Sequence, residues 1–482
     1  MAYPKIAQLK TVTAFRARLE ELGLDLPVED RALTASEKSP LAQSLAVGDC
    51  VVGNRWCIHP MEGWDANRDG TPSDKTVRRW RNFGLSGAKL IWGGEAAAVQ
   101  TDGRANPNQT LAGDVNRDGL AKLLDACVGA HQESFGETDD LLVGLQLTHS
   151  GRFARPNSKA LEPRVAYRHP ILDRKFGVDS DDLVWRDDEL PGLVERFVAA
   201  AKTAREIGFR FVDVKACHGY LFHEFLSARR RSGPYGGDLT GRAKPLLDTV
   251  AAVKQAVPDL MVFVRLSAFD VVPYQPSPDV GGPAPFEDLL PYDCGFGTDP
   301  SDPTRIDLSE TIELVGMLQA AGVHALNLSC GSPYYNPHVQ RPAIFPPSDG
   351  YLPPEDPLVG VARQIHAAKE IATRFPDMLT VGTGYSYLQD YLPHVAQAVV
   401  RAGWIDMVGL GRMVLSYPRL PADVLEKGEL ARKLVCRTFS DCTTAPRNGL
   451  ISGCYPLDPY YKALPENETM KGIKKEMKAE AT

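Results

Sequence analysis

Eight short apolar runs, most of them followed by a stretch of helical periodicity, constrain this sequence more than any other feature. They are, approximately, Trp56 to His59, Leu90 to Trp92, Leu141 to Leu147, Phe211 to Val214, Met261 to Leu266, Ala325 to Leu328, Leu379 to Gly382 and Met407 to Leu410. Helical patterns fall between them at Asn116 to His131, Leu193 to Ile207, Ala243 to Ala256, Ser309 to Ala321, Leu358 to Phe375 and Leu388 to Ala402. Strands that alternate with helices pair in parallel, because each helix carries the chain back to start the next strand. Eight such units predict an α/β fold, a closed (β/α)8 TIM barrel, with its chemistry at the C-terminal ends of the strands.

The 482 residues exceed what a barrel alone needs, and the excess has places to go. Residues 1–49 read as an N-terminal cap, with Phe15, Leu19 and Leu22 on one face of a helix over Val12 to Leu24. Residues 50–430 hold the barrel and 431–482 form a C-terminal extension, whose charged end reads as frayed. Ser150 to Glu189 and Ala268 to Arg305 are rich in Pro, Gly and Asp and too long for ordinary connections. Both are long βα loops, so they either overhang the active-site mouth or are surface insertions without a role.

A net charge of −7 and the lack of a basic stripe argue against a nucleic-acid partner. No apolar run approaches the roughly 18 residues of a membrane span, and the start lacks the basic and apolar regions of a signal peptide. Nine scattered cysteines suit a reducing compartment. The expectation is a cytoplasmic protein acting on a small-molecule substrate, without a membrane partner and compatible with a homo-oligomer.

The fourth run breaks into the most reactive stretch of the chain. Lys215, Cys217, His218 and Tyr220 leave the end of one strand, followed by Phe-Leu-Ser and then Tyr235, Gly236 and Gly237. His-Gly-Tyr-Leu followed by these motifs resembles the signature of the Old Yellow Enzyme family of FMN-dependent oxidoreductases. Lys215 stands where that family usually has the first His of a substrate-binding pair. The resemblance covers roughly Cys50 to Leu425, and it implies FMN as cofactor and NAD(P)H as reductant.

A flavin mononucleotide needs a phosphate cradle, hydrogen bonds to its pyrimidine edge and a positive group near N1. Val-Gly-Thr-Gly-Tyr and Val-Gly-Leu-Gly-Arg-Met follow strands seven and eight, where such barrels bind phosphate. There the resemblance implies backbone contacts at Gly382 and Gly384, and Gly411 with Arg412 at the phosphate. Gln146, in a stretch similar to the family's Gln-Leu-x-His-x-Gly-Arg, has both a donor and an acceptor for the pyrimidine edge. Arg265, at the end of strand five, is placed to favour the reduced flavin. By resemblance Pro60 and Met61 supply backbone contacts to the ring, Glu62 stands where many members have Thr or another small group, and Gly94 and Glu95 meet the flavin edge.

For the chemistry, Tyr220 matches the family's proton donor, with Lys215 or protonated His218 as the cation that eases loss of its proton. Lys215 with His218 is also placed to polarise a substrate carbonyl, phenolate or carboxylate, and a Lys favours an anionic group. The alternative is that Lys215 pairs with Glu62, Asp213 or another carboxylate. The reaction implied is hydride transfer between flavin N5 and an activated C=C, as ene-reduction or the reverse desaturation. The rivals are a flavin-dependent amine dehydrogenase or demethylase and a flavin-free Schiff-base lyase using Lys215. Cys436, Cys442 and Cys454 follow the barrel where members with an extra reductase domain place four cluster ligands. Phe439 stands at the second position, so these cysteines read as packing residues and no metal is expected.

Overall fold

In the computed structural model, which describes residues 3–480, the eight apolar runs are the eight strands of a closed parallel barrel. They are β1 (Trp56–Ile58), β2 (Leu90–Ile91), β3 (Leu142–Thr148), β4 (Phe211–Ala216), β5 (Met261–Ser267), β6 (Ala325–Ser329), β7 (Leu379–Gly382) and β8 (Met407–Leu410). Each pairs with the next, β8 pairs with β1 through Val408 and Trp56, and β2 meets β3 through Leu90 and Leu142. That last pairing joins the cylinder, so none of the eight strands is left as an open edge. A three-residue strand, Ala96–Ala98, continues beside the upper half of β3.

The outer helices are α1 (Asp74–Gly84), α2 (Arg117–Phe135), α3 (Leu190–Ile207), α4 (Leu239–Ala256), α5 (Ser309–Ala320), α6 (Pro357–Arg374), α7 (Leu392–Arg401) and α8 (Leu420–Lys427). Six of them fall on the helical patterns of the sequence. α1 does not, because Val77, Trp80 and Phe83 are its only large apolar side chains and three Arg separate them. Ser73 caps it by accepting from the Lys75 and Thr76 N–H groups. Arg79 on its inner face is buried between the carboxylates of Asp65 and Glu95. An ion-pair network, invisible to apolar periodicity, thus helps dock this helix.

The barrel interior is packed below the mouth. Phe211 of β4 stacks on Phe263 of β5 with centroids 4.0 Å apart, and Trp92 lies 4.9 Å from Phe263. Gly144 on β3 makes room for them, since a Cβ there would sit 2.3 Å from the Phe211 ring. A hairpin of Leu45–Val47 and Cys50–Val52 seals the base with Val47 and Val52. The N-terminal helix, Val12–Glu21, lies against the outer ring instead, where Phe15 stacks on Tyr391 at 4.3 Å.

The C-terminal extension returns over the mouth. Ser452 N–H donates to Gly63 O at 2.9 Å, and Arg78 of α1 grips Asp458 with two hydrogen bonds of 2.9 and 3.0 Å. Its end corrects the expectation of fraying: Glu466–Glu480 is a helix, and its Met470 is buried with Tyr455 and Tyr461. The spacing of Met470 and Ile473 gives that charged segment an apolar stripe.

The aromatic stack at the base sets a measurable cost. Phe211→Ala leaves a cavity under Phe263 and Trp92 and is expected to destabilise the fold by about 3–5 kcal/mol. A chemical-denaturation midpoint unchanged from wild type would show that the barrel does not depend on this layer.

Candidate functional site

The C-terminal ends of the strands open into a cleft of about 580 Å³. Among the residues singled out from the sequence, Pro60, Met61, Glu62, Gln146, Lys215, His218, Tyr220, Arg265 and Arg412 line it. Gly94 and Glu95 do not. Gly94 makes room for Trp80, whose ring a Cβ would meet at 2.8 Å, and the Glu95 carboxylate is taken by Arg79. Gly382, Gly384 and Gly411 stand at the ends of β7 and β8. A side chain at Gly411 would meet only Met61 Sδ, 3.9 Å away, so the backbone before Arg412 is open.

At the end of β4 the side chains converge on Glu62. Tyr220 Oη donates to Glu62 Oε1 at 2.9 Å, and Lys215 Nζ lies 3.3 Å from the same oxygen. Lys215 Nζ also sits 3.6 Å above the Tyr220 ring, a cation–π contact. The Lys215 and Glu62 side chains are only 6% and 12% exposed, so their pairing is shielded from water. Burial, Glu62 and Tyr334 hold the Tyr220 phenol well above its ordinary pKa. The Tyr334 hydroxyl is 3.1 Å from that of Tyr220.

His218 has a positive φ of 63°, which turns the chain sharply after the strand. Its N–H donates to Ser267 Oγ at 3.0 Å, and its Nε2 lies 2.8 Å from Ser329 Oγ. Burial, with Arg265 and Lys215 nearby, drives its pKa well below the ordinary value. That direction runs against the expectation that His218 serves as a cation. Lys215 is the member of the pair that is ion-paired, to Glu62.

On the neighbouring strands β3, β4 and β5, Gln146 Nε2 donates to Asp213 Oδ2 at 2.5 Å, and Asp213 Oδ1 accepts from the Arg265 N–H at 2.6 Å. This buried carboxylate, pushed up to about 6 by desolvation, sets the orientation of Gln146. Arg152, of the Gly-Arg motif, is not in the cleft. It is buried in ion pairs of 2.6 Å with Asp173 and Glu224. Arg229, Arg230 and Arg231 end in ion pairs with Glu310, Asp293 and Asp187, so the run is structural. Cys217 is a buried packing residue whose thiol burial pushes up to about 11.

The two long loops play different parts. The first brings Arg155 and Lys159 to the cleft. The second does not reach it; its buried Asp270 accepts from Tyr335 Oη and Asn336 Nδ2, each at 2.7 Å, and so braces the segment after β6. That segment, unmarked in the sequence reading, contributes Tyr334, Gln340 and Arg341. The Gly-Ser-Pro-Tyr-Tyr after β6 is a strand-end signal that points to Tyr334. Nothing local marks Arg341 or Arg447.

Four side chains on the cleft wall retain a buried polar atom without a partner: Arg265 Nε, Gln340 Oε1, Arg341 Nη2 and Arg412 Nη1. Among the described residues neither Arg341 nor Arg412 has a carboxylate partner, and burial together with Arg412 and Arg447 lowers the pKa of Arg341. Two guanidinium groups that line one cleft and feel each other's charge, each with a buried unpartnered nitrogen and beside an open backbone at Gly411, fit a phosphate. The unmatched atoms of Arg265 and Gln340 suit a polar ring edge. The residues present thus fit FMN. Among the described residues, no group of three or more His, Cys, Asp or Glu is arranged to hold a metal ion.

The ion pair at β4 makes its own prediction. Lys215→Met leaves the Glu62 charge shielded and unpaired and is expected to cost about 3–5 kcal/mol, most of it recovered in the Lys215→Met, Glu62→Gln double variant. Losses that simply add in denaturation measurements would mean that the two side chains are uncoupled.

The profile of the NADH:flavin oxidoreductase / NADH oxidase family matches residues 40–277. An NADPH dehydrogenase of Listeria welshimeri serovar 6b is 30% identical over 259 residues, 53% of this chain and 69% of the relative. Among solved structures, the Old Yellow Enzyme homologue from Zymomonas mobilis superposes with a TM-score of 0.57 at 21% identity, over 83% of this chain and 96% of that one. A 2-naphthoyl-CoA reductase complex gives a TM-score of 0.64 at 19% identity, over 88% of this chain and 57% of that longer one. Both share the barrel fold. The chain belongs to the NADH:flavin oxidoreductase / NADH oxidase family and is an FMN-dependent oxidoreductase with a nicotinamide dinucleotide as its reductant.

Proposed function

We propose that this protein exchanges hydride with an activated C=C, with Tyr220 as the proton-transfer group and Lys215, His218 and Glu62 setting its environment. The observation that carries the reading is that Tyr220, Lys215, Glu62 and His218 line the same cleft as Gln146, Arg265 and Arg412. FMN, when bound, supplies the hydride exchange. Arg412 and Arg341 would hold its phosphate, Gln146 and Arg265 its ring edge, and Pro60 and Met61 the ring face.

Tyr220 keeps its proton until a substrate atom accepts it, because its phenol lies well above the ordinary range. Developing negative charge on Tyr220 Oη is met by the Lys215 ammonium beside it and by the Tyr334 hydroxyl. Glu62 offsets the Lys215 charge, so the reacting end of the cleft suits a polarised neutral carbonyl as well as an anion. Neutral His218, held by Ser329, offers a hydrogen bond to that carbonyl without adding charge. In the reverse direction Tyr220 Oη takes the substrate proton as its own passes to Glu62 Oε1. The Schiff-base alternative for Lys215 gives way to the ion pair with Glu62 and to membership in a flavin-dependent family.

The purified protein is expected to be yellow and to release FMN on denaturation. Tyr220→Phe is expected to slow reoxidation by an α,β-unsaturated carbonyl compound about 100-fold while leaving reduction by NAD(P)H unchanged. Equal rates of reoxidation in the variant and the wild type would remove Tyr220 from the chemistry, and a protein that no alkene reoxidises would reject the proposed reaction.

A further inference from the structure

The charge on the cleft wall is unbalanced, and the imbalance has a location. Seven Lys and Arg line the cleft against two carboxylates, Glu62 and Asp349. Glu62 is matched to Lys215, and Asp349 to Arg447 at the rim. On the functional reading above, Arg341 and Arg412 answer a phosphate and Arg265 a flavin ring. Arg155 and Lys159 then remain, and neither has a carboxylate partner among the described residues.

Both come from the segment after β3, and both are held at the mouth by neutral contacts. Arg155 Nη1 donates to Phe153 O at 3.3 Å, and Lys159 Nζ reaches Asn448 O of the C-terminal extension at 3.5 Å. The segment itself is pinned by Arg68, which donates to Asn157 O at 2.6 Å. Facing them, Asn448 Nδ2 donates to Ser348 Oγ at 2.9 Å, so neutral polar groups complete that part of the wall. An aromatic path leads there from the reacting end: Tyr220 Oη is 3.1 Å from Tyr334 Oη, and the Tyr334 ring stacks on Phe153 at 4.0 Å.

We infer that Arg155 and Lys159 form a second anion subsite, taking a phosphate or pyrophosphate carried on the distal end of a ligand whose reactive end lies at Tyr220. The inference rests on the cleft being the redox site proposed above. Two cations on different parts of one segment, with hydroxyl and amide groups opposite, match a group with several charged oxygens better than a single carboxylate. The group belongs either to the alkene substrate or to the nicotinamide dinucleotide, which share this chemistry.

The test uses FMN-loaded protein, in which the inner phosphate site is filled, and inorganic pyrophosphate as the probe. Calorimetry is expected to show pyrophosphate binding that weakens about tenfold or more in Arg155→Gln/Lys159→Gln, with the flavin spectrum unchanged as the check on folding. No binding to the wild type, or equal binding to the variant, overturns the subsite. Stopped-flow competition assigns the source. Inhibition of flavin reduction by NAD(P)H places the dinucleotide at the rim, inhibition of reoxidation by an alkene places the substrate there, and inhibition of neither step overturns the proposal. Failure of alkene turnover with pyrophosphate binding intact rejects the proposed reaction while the subsite stands; the converse result rejects the subsite alone.

Discussion

Closure of the parallel sheet is the constraint on which the rest of this molecule depends. The pairing of Leu90 with Leu142 joins β2 to β3 and turns an open sheet into a cylinder. Because the eight strands run parallel, their C-terminal ends meet at one rim. Phe211, Phe263 and Trp92 fill the lower interior, so a ligand has access only from the top. Side chains far apart in sequence, such as Glu62 after β1 and Tyr220 after β4, meet there because all eight strand ends open on one rim.

The rim is an unusual electrostatic environment for a buried site. Asp213 is held between Gln146 and Arg265, and Glu62 between Lys215 and Tyr220, so each carboxylate is spent on positioning a neighbour. The guanidinium groups of Arg341 and Arg412 have no such partner among the described residues, and burying them is unfavourable until an anion arrives. The fold therefore carries a charge imbalance that ligand binding relieves. The C-terminal extension helps to maintain it: Thr443 meets Arg341, and Asp458 ties the extension to α1.

Much of this was legible in the residues. The eight strands, the reactive cluster after β4, Gln146, Arg265 and Arg412 all follow from local runs and short motifs, because strand ends of a parallel barrel must share a face. Gly94 and Glu95 misled because their motif serves packing: the glycine clears Trp80, and the carboxylate joins Arg79 and Asp65. α1 was hidden because an ion pair holds its inner face. Arg341 and Arg447 lie in connections whose path no periodicity describes.

The sequence by itself determined the barrel, its order of strands and the family, since alternating apolar runs and strand-end motifs are local patterns that survive without a partner. Only the tertiary structure decided what the charged residues do. Lys215 is matched by Glu62, 153 residues away in the chain, while Arg155 and Lys159 find no carboxylate among the described residues, and Arg152 is consumed in a buried network. A charge's role depends on the sign and distance of its neighbours, and those are set by how strand ends and loops converge.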